Sequence, residues 1–364
     1  VWNHFLALEI EQYKADKTFR FFNKNSKDLT ELKKQEDTQW LKEIPSTAIQ
    51  QSIRSLDLAL RQSFKSQKNR KGFPKFKAKK HWQGGFPLAM VGKNANQENN
   101  TFQVPNVGKV KTKYHRAIPS EFTTCNIKYE AGKWYLVLTV KVKKQPKSSG
   151  KSSVGIDINS LEYVTSDGEI IPIPRFLGES QAQVKRIQRR LARKVKGSSN
   201  RKKWQLRLAR QHYKIKCQRL DFFHKISKYL VDNYDVICLE DLNVKAIQRF
   251  NGHITKDNSF AGFRQMVEYK AELYGKDVVI VDRFYASTKT CSNCGNVQPI
   301  ALSERTYKCN CCGIEISRDY NAAVNINRVG SARIYACGDW STTTNSSESV
   351  ATLVCEAGSH VVSH

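Results

Sequence analysis

Apolar positions recur at helical spacing through residues 2–64, loosely around Leu29, Leu32, Trp40 and Leu41 and more regularly at Ala48, Ile49, Ile53, Leu56, Ala59, Leu60 and Phe64. Ser46 and Thr47 follow Pro45 and mark a helix start within that stretch. The period then changes. From residue 86 to 142 apolar residues alternate or run together between Gly and Pro turns (Phe102, Val104, Val107, Val110, Phe122, Ile127, Tyr129 and the run WYLVLTVKV), which predicts several short strands arranged as a small barrel. The segment KKQPKSSGKSS reads as a linker that ends near residue 152.

Beyond the linker, SVGIDINSLEYVTSDGEIIPI predicts three consecutive strands with turns at Asn159–Ser160 and Asp167–Gly168. Val154, Ile156 and Ile158 share one face of the first strand, and Asp157 points to the other. Two helices follow around a break at Gly197–Ser198–Ser199, the second ending in Phe222, Phe223, Ile226, Leu230 and Val231. YDVICLEDLNV is a further buried strand that carries Glu240 at its carboxyl end, on the face of Val236 and Cys238, with Asp241 opposite. A helix around 260–275, a strand at 277–282 and a helical pattern through Ala322, Ala323 and Ile326 complete a β-β-β-α-β-α-β order, which predicts an α/β domain.

Charge adds a partner to this picture. The 364 residues carry 61 Lys and Arg against 33 Asp and Glu, a net charge of +28, and a self-repulsive excess of that size implies a polyanion, nucleic acid first. Between Lys65 and Lys80 lie eight basic residues and no acid, Lys75 and Lys77 among them, interleaved with Phe73, Pro74 and Phe76 and followed by Trp82. Such a segment neutralises phosphates while its rings stack on bases. From Lys185 to Arg219 fifteen basic residues occur without an acid, including Arg189, Arg193, Arg207 and Arg210. Fifteen like charges on two helices repel and favour a phosphate backbone between them. No apolar run reaches spanning length and no signal peptide is visible, so a soluble intracellular protein is expected. Ten cysteines, four of them in metal-ligand spacing, fit a reducing compartment.

Chemistry concentrates between Asp282 and Asn327. Cys291, Cys294, Cys309 and Cys312 form C-x2-C-x14-C-x2-C, each pair closed by a glycine, Gly295 or Gly313, that permits a tight turn. This is zinc-ribbon spacing. Four thiolates complete a tetrahedron, so the zinc is expected to be structural, with Cys311 a spare thiol. Asp319 heads the last helical pattern and serves either as its N-cap or as a ligand. Asp157, inside an apolar strand, is either a structural hydrogen-bonder or a metal ligand. In a sheet where the first and fourth strands are neighbours and the last helix crosses them, Asp157, Glu240 and Asp319 converge. Clustered carboxylates of that kind call for a cation, and two Mg2+ ions are a standard means of cleaving a phosphodiester.

GID (155–157), LEDLN (239–243), the two CxxCG knuckles and RDYNAAVNI (318–326), together with GFPKFKAKK (72–80) and KGSSNRKK (196–203), closely resemble the OrfB/TnpB family of transposon-encoded proteins, over nearly all of residues 1–330. The resemblance implies an RNA-guided DNA endonuclease related to type V CRISPR effectors, acting in a prokaryotic cytoplasm on the nucleoid, with guide RNA and target DNA as partners and no membrane. It implies an RNase H-like (RuvC) nuclease domain at 151–284 and 314–330, a zinc ribbon at 285–313, a helical recognition lobe at 1–80 and a β-barrel wedge domain at 81–150. Residues 331–364, rich in Ser and Thr, are expected to be a mobile tail. By the same resemblance Asp157, Glu240 and Asp319 bind two catalytic Mg2+ ions. Two departures stand out: the strand and short helix that usually precede the VWN stretch are missing, and Ser317 occupies a position where an acid is common. A second reading is a non-catalytic nucleic-acid-binding regulator of transposition. The presence of all three acids favours the enzyme.

Overall fold

The computed structural model describes residues 1–64, 72–78, 84–88, 95–96, 98–115, 117–118, 122–148, 152–159, 161–242, 260–301, 303–336 and 351–358. Trp82, Ser160, Asn243 and Cys337, and the basic residues at 65–71 and 79–80, lie outside them. The chain divides into two compact units, residues 1–142 with a strand from the C-terminal end, and residues 143–351.

In the first unit the helical period is realised as α1 (Trp2–Asp16), α2 (Phe21–Leu32), a 3-10 helix (Glu36–Lys42) and α3 (Ser46–Ser63). Leu29, Leu41, Ile49, Ile53, Leu56 and Leu60 are buried with Phe5 and Leu6, so the apolar face read from the sequence is the packed one. Trp40 and Phe64 are exceptions and stay exposed. α3 begins at Ser46, as expected, but no side chain caps it.

The strands that follow are β1 (Phe86–Leu88), β2 (Ala95–Asn96), β3 (Thr101–Val104), β4 (Gly108–Lys111), β5 (Phe122–Glu130) and β6 (Lys133–Val142). They do not close into the expected barrel. Among the described residues β2, β3 and β4 form one sheet, and β1, β5 and β6 another. Closure needs a continuous hydrogen-bonded ring. Here the two sheets meet instead through side chains, with Phe102 and Phe122 at 6.2 Å between ring centroids over a shared core that includes Leu88, Cys125, Leu136 and Leu138.

The second unit opens with residues 143–148, the first half of the expected linker. These are tied down by Gln145 N–H to Leu273 O (2.9 Å) and Ser148 N–H to Gly275 O (2.8 Å). Then come β7 (Ser153–Ile158), β8 (Glu162–Thr165), β9 (Ile170–Pro172), α4 (Phe176–Ala192), α5 (Ser199–Asn233), β10 (Val236–Glu240), α6 (Phe260–Tyr274), β11 (Asp277–Val281), β12 (Thr306–Lys308), β13 (Glu315–Ser317) and α7 (Arg318–Ala336). The main sheet runs β11-β10-β7-β8-β9; β7, β10 and β11 are parallel, and β8 and β9 antiparallel. One face packs on α5 and α6 through Val154, Ile156, Tyr163, Ile237 and Leu239 against Phe223, Leu230, Phe263 and Val267.

Helix α7 covers the other face, and it lies close because two glycines allow it. A Cβ on Gly155 would stand 2.2 Å from Ala323 O and 2.4 Å from Asn327 N, and one on Gly330 would stand 2.4 Å from Cys238 Sγ. Ala322, Ala323 and Ile326 are fully buried at the contact.

The expectation of a mobile tail from residue 331 is corrected at two places. α7 continues to Ala336, and β14 (Ala351–Gly358), which contains Cys355, joins the sheet of the first unit beside β6. Open backbone groups along β6 explain the addition, because a strand edge accepts any extended segment that reaches it.

Candidate active site and cysteine cluster

β7 and β10 are parallel neighbours paired as far as Leu239 with Ile156, so the next residues, Glu240 and Asp157, stand side by side on the face under α7. Asp319, the second residue of α7, completes the group. Asp157 and Asp319 are 8% and 7% exposed, and Glu240 is half-buried. The Asp157 carboxyl is pushed up to about 8, chiefly by burial, then by the charges of Glu240 and Asp319, with Arg318 opposing. Burial also raises Glu240, against a hydrogen bond from the Ser287 hydroxyl. The three acids named from the sequence therefore form one electrostatic group.

Asp319 is not an N-cap. Its Oδ2 accepts from Asn159 Nδ2 at 2.9 Å and its Oδ1 from Arg318 Nη2 at 3.1 Å, while Arg305 Nη1 lies 3.6 Å from Oδ2. Asn159 is held in turn, since its own Oδ1 accepts from the N–H groups of Leu161 (2.7 Å) and Glu162 (2.9 Å). Asp241 faces away, as alternation predicts, and binds Arg264 at 3.2 Å and Arg283 at 2.9 Å. The sequence marked Asn159 only as a turn residue and Arg318 only as the first residue of RDYNAAVNI, and it offered no reason to single out Ser287 or Arg305. Their roles come from contacts between distant segments.

Cys291, Cys294, Cys309 and Cys312 bring their sulfurs within 4.8 Å of one another, and Cys311 stays outside the group. Sγ separations of 3.7 Å (Cys291–Cys312) and 3.5 Å (Cys294–Cys309) approach the ~3.8 Å expected of sulfurs 2.3 Å from one tetrahedral ion. Each knuckle closes alike: Gly295 N–H donates to Cys291 O and Gly313 N–H to Cys309 O, both at 3.0 Å, with φ of 77° and 71° at the glycines. The Cys312 thiol is drawn down to about 6, first by the N–H of Ile314 and then by Asn293. Those donors favour the thiolate, the form that binds metal. Tyr307, fully buried between Cys291 and Cys309, donates to Lys289 O at 3.1 Å and braces the two halves.

Residues 136–251 match the OrfB family described as "Probable transposase", and residues 260–326 the family described as "Cas12f1-like, TNB domain". A protein of Streptomyces pristinaespiralis named "Putative RNA-guided DNA endonuclease" is 33% identical over 326 residues, covering 86% of this chain and 79% of the relative. InsQ of Escherichia coli K12, described in the same words, is 30% identical over 360 residues, 93% of this chain and 88% of its own. The chain belongs to the OrfB/TnpB family. This OrfB/TnpB chain also shares its mixed α/β fold with Cas12f1 in a cryo-electron microscopy complex with sgRNA and target DNA. The TM-score is 0.51 at 16% identity, over 77% of this chain and 71% of that one.

The basic residues of this family member fall into two environments. Lys75 and Lys77 lie on a segment docked on α1: Trp2 Nε1 donates to Lys75 O at 3.1 Å, and Asn3 exchanges bonds with the Lys77 backbone. Lys77 Nζ sits 3.3 Å above the Trp2 ring centroid, and burial lowers its pKa. Lys75 is exposed. The antiparallel α4 and α5 enclose a cleft of about 420 Å³ lined by Arg186, Arg190, Trp204, Arg207, Arg210 and Lys214. Arg207 and Arg190 lie 4.5 and 5.2 Å from the Trp204 ring. Arg189 and Arg193 are exposed on α4 and at its end, outside the cleft lining. Arg201 is used structurally instead, donating to Leu191 O and Lys194 O, both at 3.1 Å, at the end of α4. No described helix is long and apolar enough to cross a membrane.

Proposed function

We propose that the chain is a transposon-associated, RNA-guided DNA endonuclease with a RuvC-like nuclease domain (151–284 and 314–330) and an inserted zinc ribbon (285–313). The single observation that carries this reading is the convergence of Asp157, Glu240 and Asp319, from two strands and a helix, into one group, where burial first and then the charges of Glu240 and Asp319 raise the Asp157 pKa. Buried like charges are costly without a cation between them, and hard carboxylate oxygens suit Mg2+. The residues therefore fit the group. Asp157, Glu240 and Asp319 would hold the Mg2+, which would supply activation of a water and stabilisation of the leaving oxygen of a DNA phosphodiester. Asp157 and Glu240 fix two ligand positions on a rigid parallel pair, and Asp319 supplies the third from the first turn of α7. Asn159 orients the Asp319 carboxylate, and Arg318 and Arg305 keep cationic donors beside it.

Zn2+ in the four-cysteine cluster is structural, since the thiolates fill its tetrahedron. Guide RNA is held by the basic helices α4 and α5, and residues 1–80 and 81–150 serve as recognition lobe and wedge domain, reading the motif beside the target. This reading agrees with the names of the relatives and the sgRNA and DNA of the Cas12f1 complex. The test is Mg2+-dependent cleavage of target DNA by the full chain with its co-purified RNA. Asp157→Ala, Glu240→Ala and Asp319→Ala should each lower the rate by about 10³ or more and keep the RNA, because removing one ligand empties a jointly held site. Parent-like cleavage by any variant removes that residue from the site. RNA binding without cleavage in the parent reassigns the chain to a binding regulator.

A further inference from the structure

Glu240 has the longest side chain of the three acids and so the most rotamer freedom to lose when it is held in one geometry. Its Oε1 accepts from the hydroxyl of Ser287, a residue only 5% exposed on the segment that leaves β11 for the first cysteine knuckle. That segment is fastened from the opposite side. Asn325 Nδ2 donates to Ser287 O at 2.9 Å and to Thr290 O at 2.7 Å. Asn321, one turn earlier on α7, donates to Thr290 O at 2.7 Å and accepts from Ser292 N–H at 2.8 Å. Thr290 and Ser292 flank Cys291. Both asparagines are completely buried, where an unpaired amide would be strongly disfavoured; the whole Asn321 carboxamide and the NH2 of Asn325 are committed to this segment, while Asn325 Oδ1 accepts from Arg328 Nη2 at 3.2 Å.

We propose that Ser287 is a positioning residue for Glu240, and that Asn321 and Asn325 lock it, through the Thr290–Ser292 backbone, to the first zinc knuckle and to the helix that carries Asp319. The inference rests on the nuclease reading of the three acids. The ribbon thereby acquires a second role, since the cluster at Cys291, besides holding its own fold, fixes the direction from which a hydroxyl meets Glu240. Two ligands of the site are then referenced to one rigid piece, Asp319 through α7 directly and Glu240 through the clip. Partners of metal ligands matter in this way because Mg2+ demands near-ideal octahedral placement, and losing such a partner typically weakens metal binding about 10–100-fold.

The experiment uses the full chain loaded with zinc and its RNA and follows Mn2+ binding by electron paramagnetic resonance beside the Mg2+ concentration at half-maximal cleavage. Ser287→Ala should move both midpoints up by about tenfold, leave one zinc per chain and leave the melting temperature within a few degrees. Ser287→Thr, which keeps the hydroxyl, should restore the parent midpoints. Ser287→Cys fills the same space with a weak donor and carries the test if the alanine variant does not fold. Parent midpoints in Ser287→Ala or Ser287→Cys overturn the proposal. So does a shift that appears only with loss of zinc, which would make Ser287 a support of the knuckle alone. Glu240→Gln and Asp157→Ala in the same titration separate the two layers of inference. If they bind Mn2+ like the parent, the three-acid site is itself wrong. If they lose it while the Ser287 variants do not, only the clip falls.

Discussion

An unfolded aspartate loses its proton near pH 4, whereas Asp157 in the folded chain holds its proton up to about 8. Between those values the folded state binds more protons than the unfolded one, so this group makes stability fall as pH rises from about 4 to about 8. Asp157→Asn removes the titration while keeping the size of the side chain. In EDTA the variant should melt above the parent, with a gap that widens steadily from pH 5 to pH 8. Mg2+ should then raise the melting temperature of the parent and not of the variant. Scanning calorimetry at the two pH values decides it: a gap that stays constant or narrows would show that the carboxyl is not the strained group. Asp157 was legible in the sequence because an acid inside SVGIDI breaks an otherwise apolar strand and alternation fixes its face. Glu240 was legible for the same reason. Ser287 and Asn159 were not, since a serine before a knuckle and an asparagine in a turn are ordinary there, and their partners lie 47 and 160 residues away.

The seat of α7 shows what periodicity conveys about an element and what it omits. The pattern Ala322, Ala323, Ile326 announced a packed helix, but nothing in the strand SVGIDI said that its glycine is where the helix backbone rests. A methyl group at 155 meets Ala323 O and Asn327 N, backbone atoms that no rotamer change moves aside. Gly155→Ala should therefore destabilise by about 3 kcal/mol, lowering the melting temperature by close to 10 °C, and should impair cleavage by displacing Asp319. Gly178→Ala is the contrasting case. It lies in α4, its new methyl would meet only Arg175 Cβ at an ordinary 3.5 Å, and removing a helical glycine should stabilise by about 0.5 kcal/mol. Equal effects from the two substitutions would refute the close seating. The barrel expectation failed for a related reason. Alternation shows that a segment is a strand, whereas closure depends on which edges meet, and the strand that lies beside β6 comes from residues 351–358, whose Ser- and Thr-rich surroundings carry no clear period.

For the molecule as a whole, the order of elements was readable from the shift in hydrophobic period, whereas the two units divide at residues 142 and 143, where the linker expected to end near residue 152 begins. The charge of +28 was equally plain, but composition does not say where it acts. The structure concentrates fifteen of the basic residues on and between α4 and α5, and it divides their duties: Arg201 closes the end of α4, Arg190 and Arg207 lie against Trp204, and Arg189 and Arg193 are exposed outside the cleft. If this hairpin holds the guide RNA by its backbone, binding displaces counterions, and affinity falls with salt in proportion to the number of phosphates met. Reversing Arg189, Arg193, Arg207 and Arg210 to Glu leaves the chain strongly basic, so a loss of binding cannot be assigned to net charge alone. The variant should fail to retain RNA on purification, and in titrations at low salt the slope of log affinity against log salt should be shallower than the parent's by about 3, from four lost contacts at about 0.7 each on a single strand. A folded variant that keeps the parent slope and recovers the parent amount of RNA would place the guide elsewhere and leave α4 and α5 as a solvated basic surface.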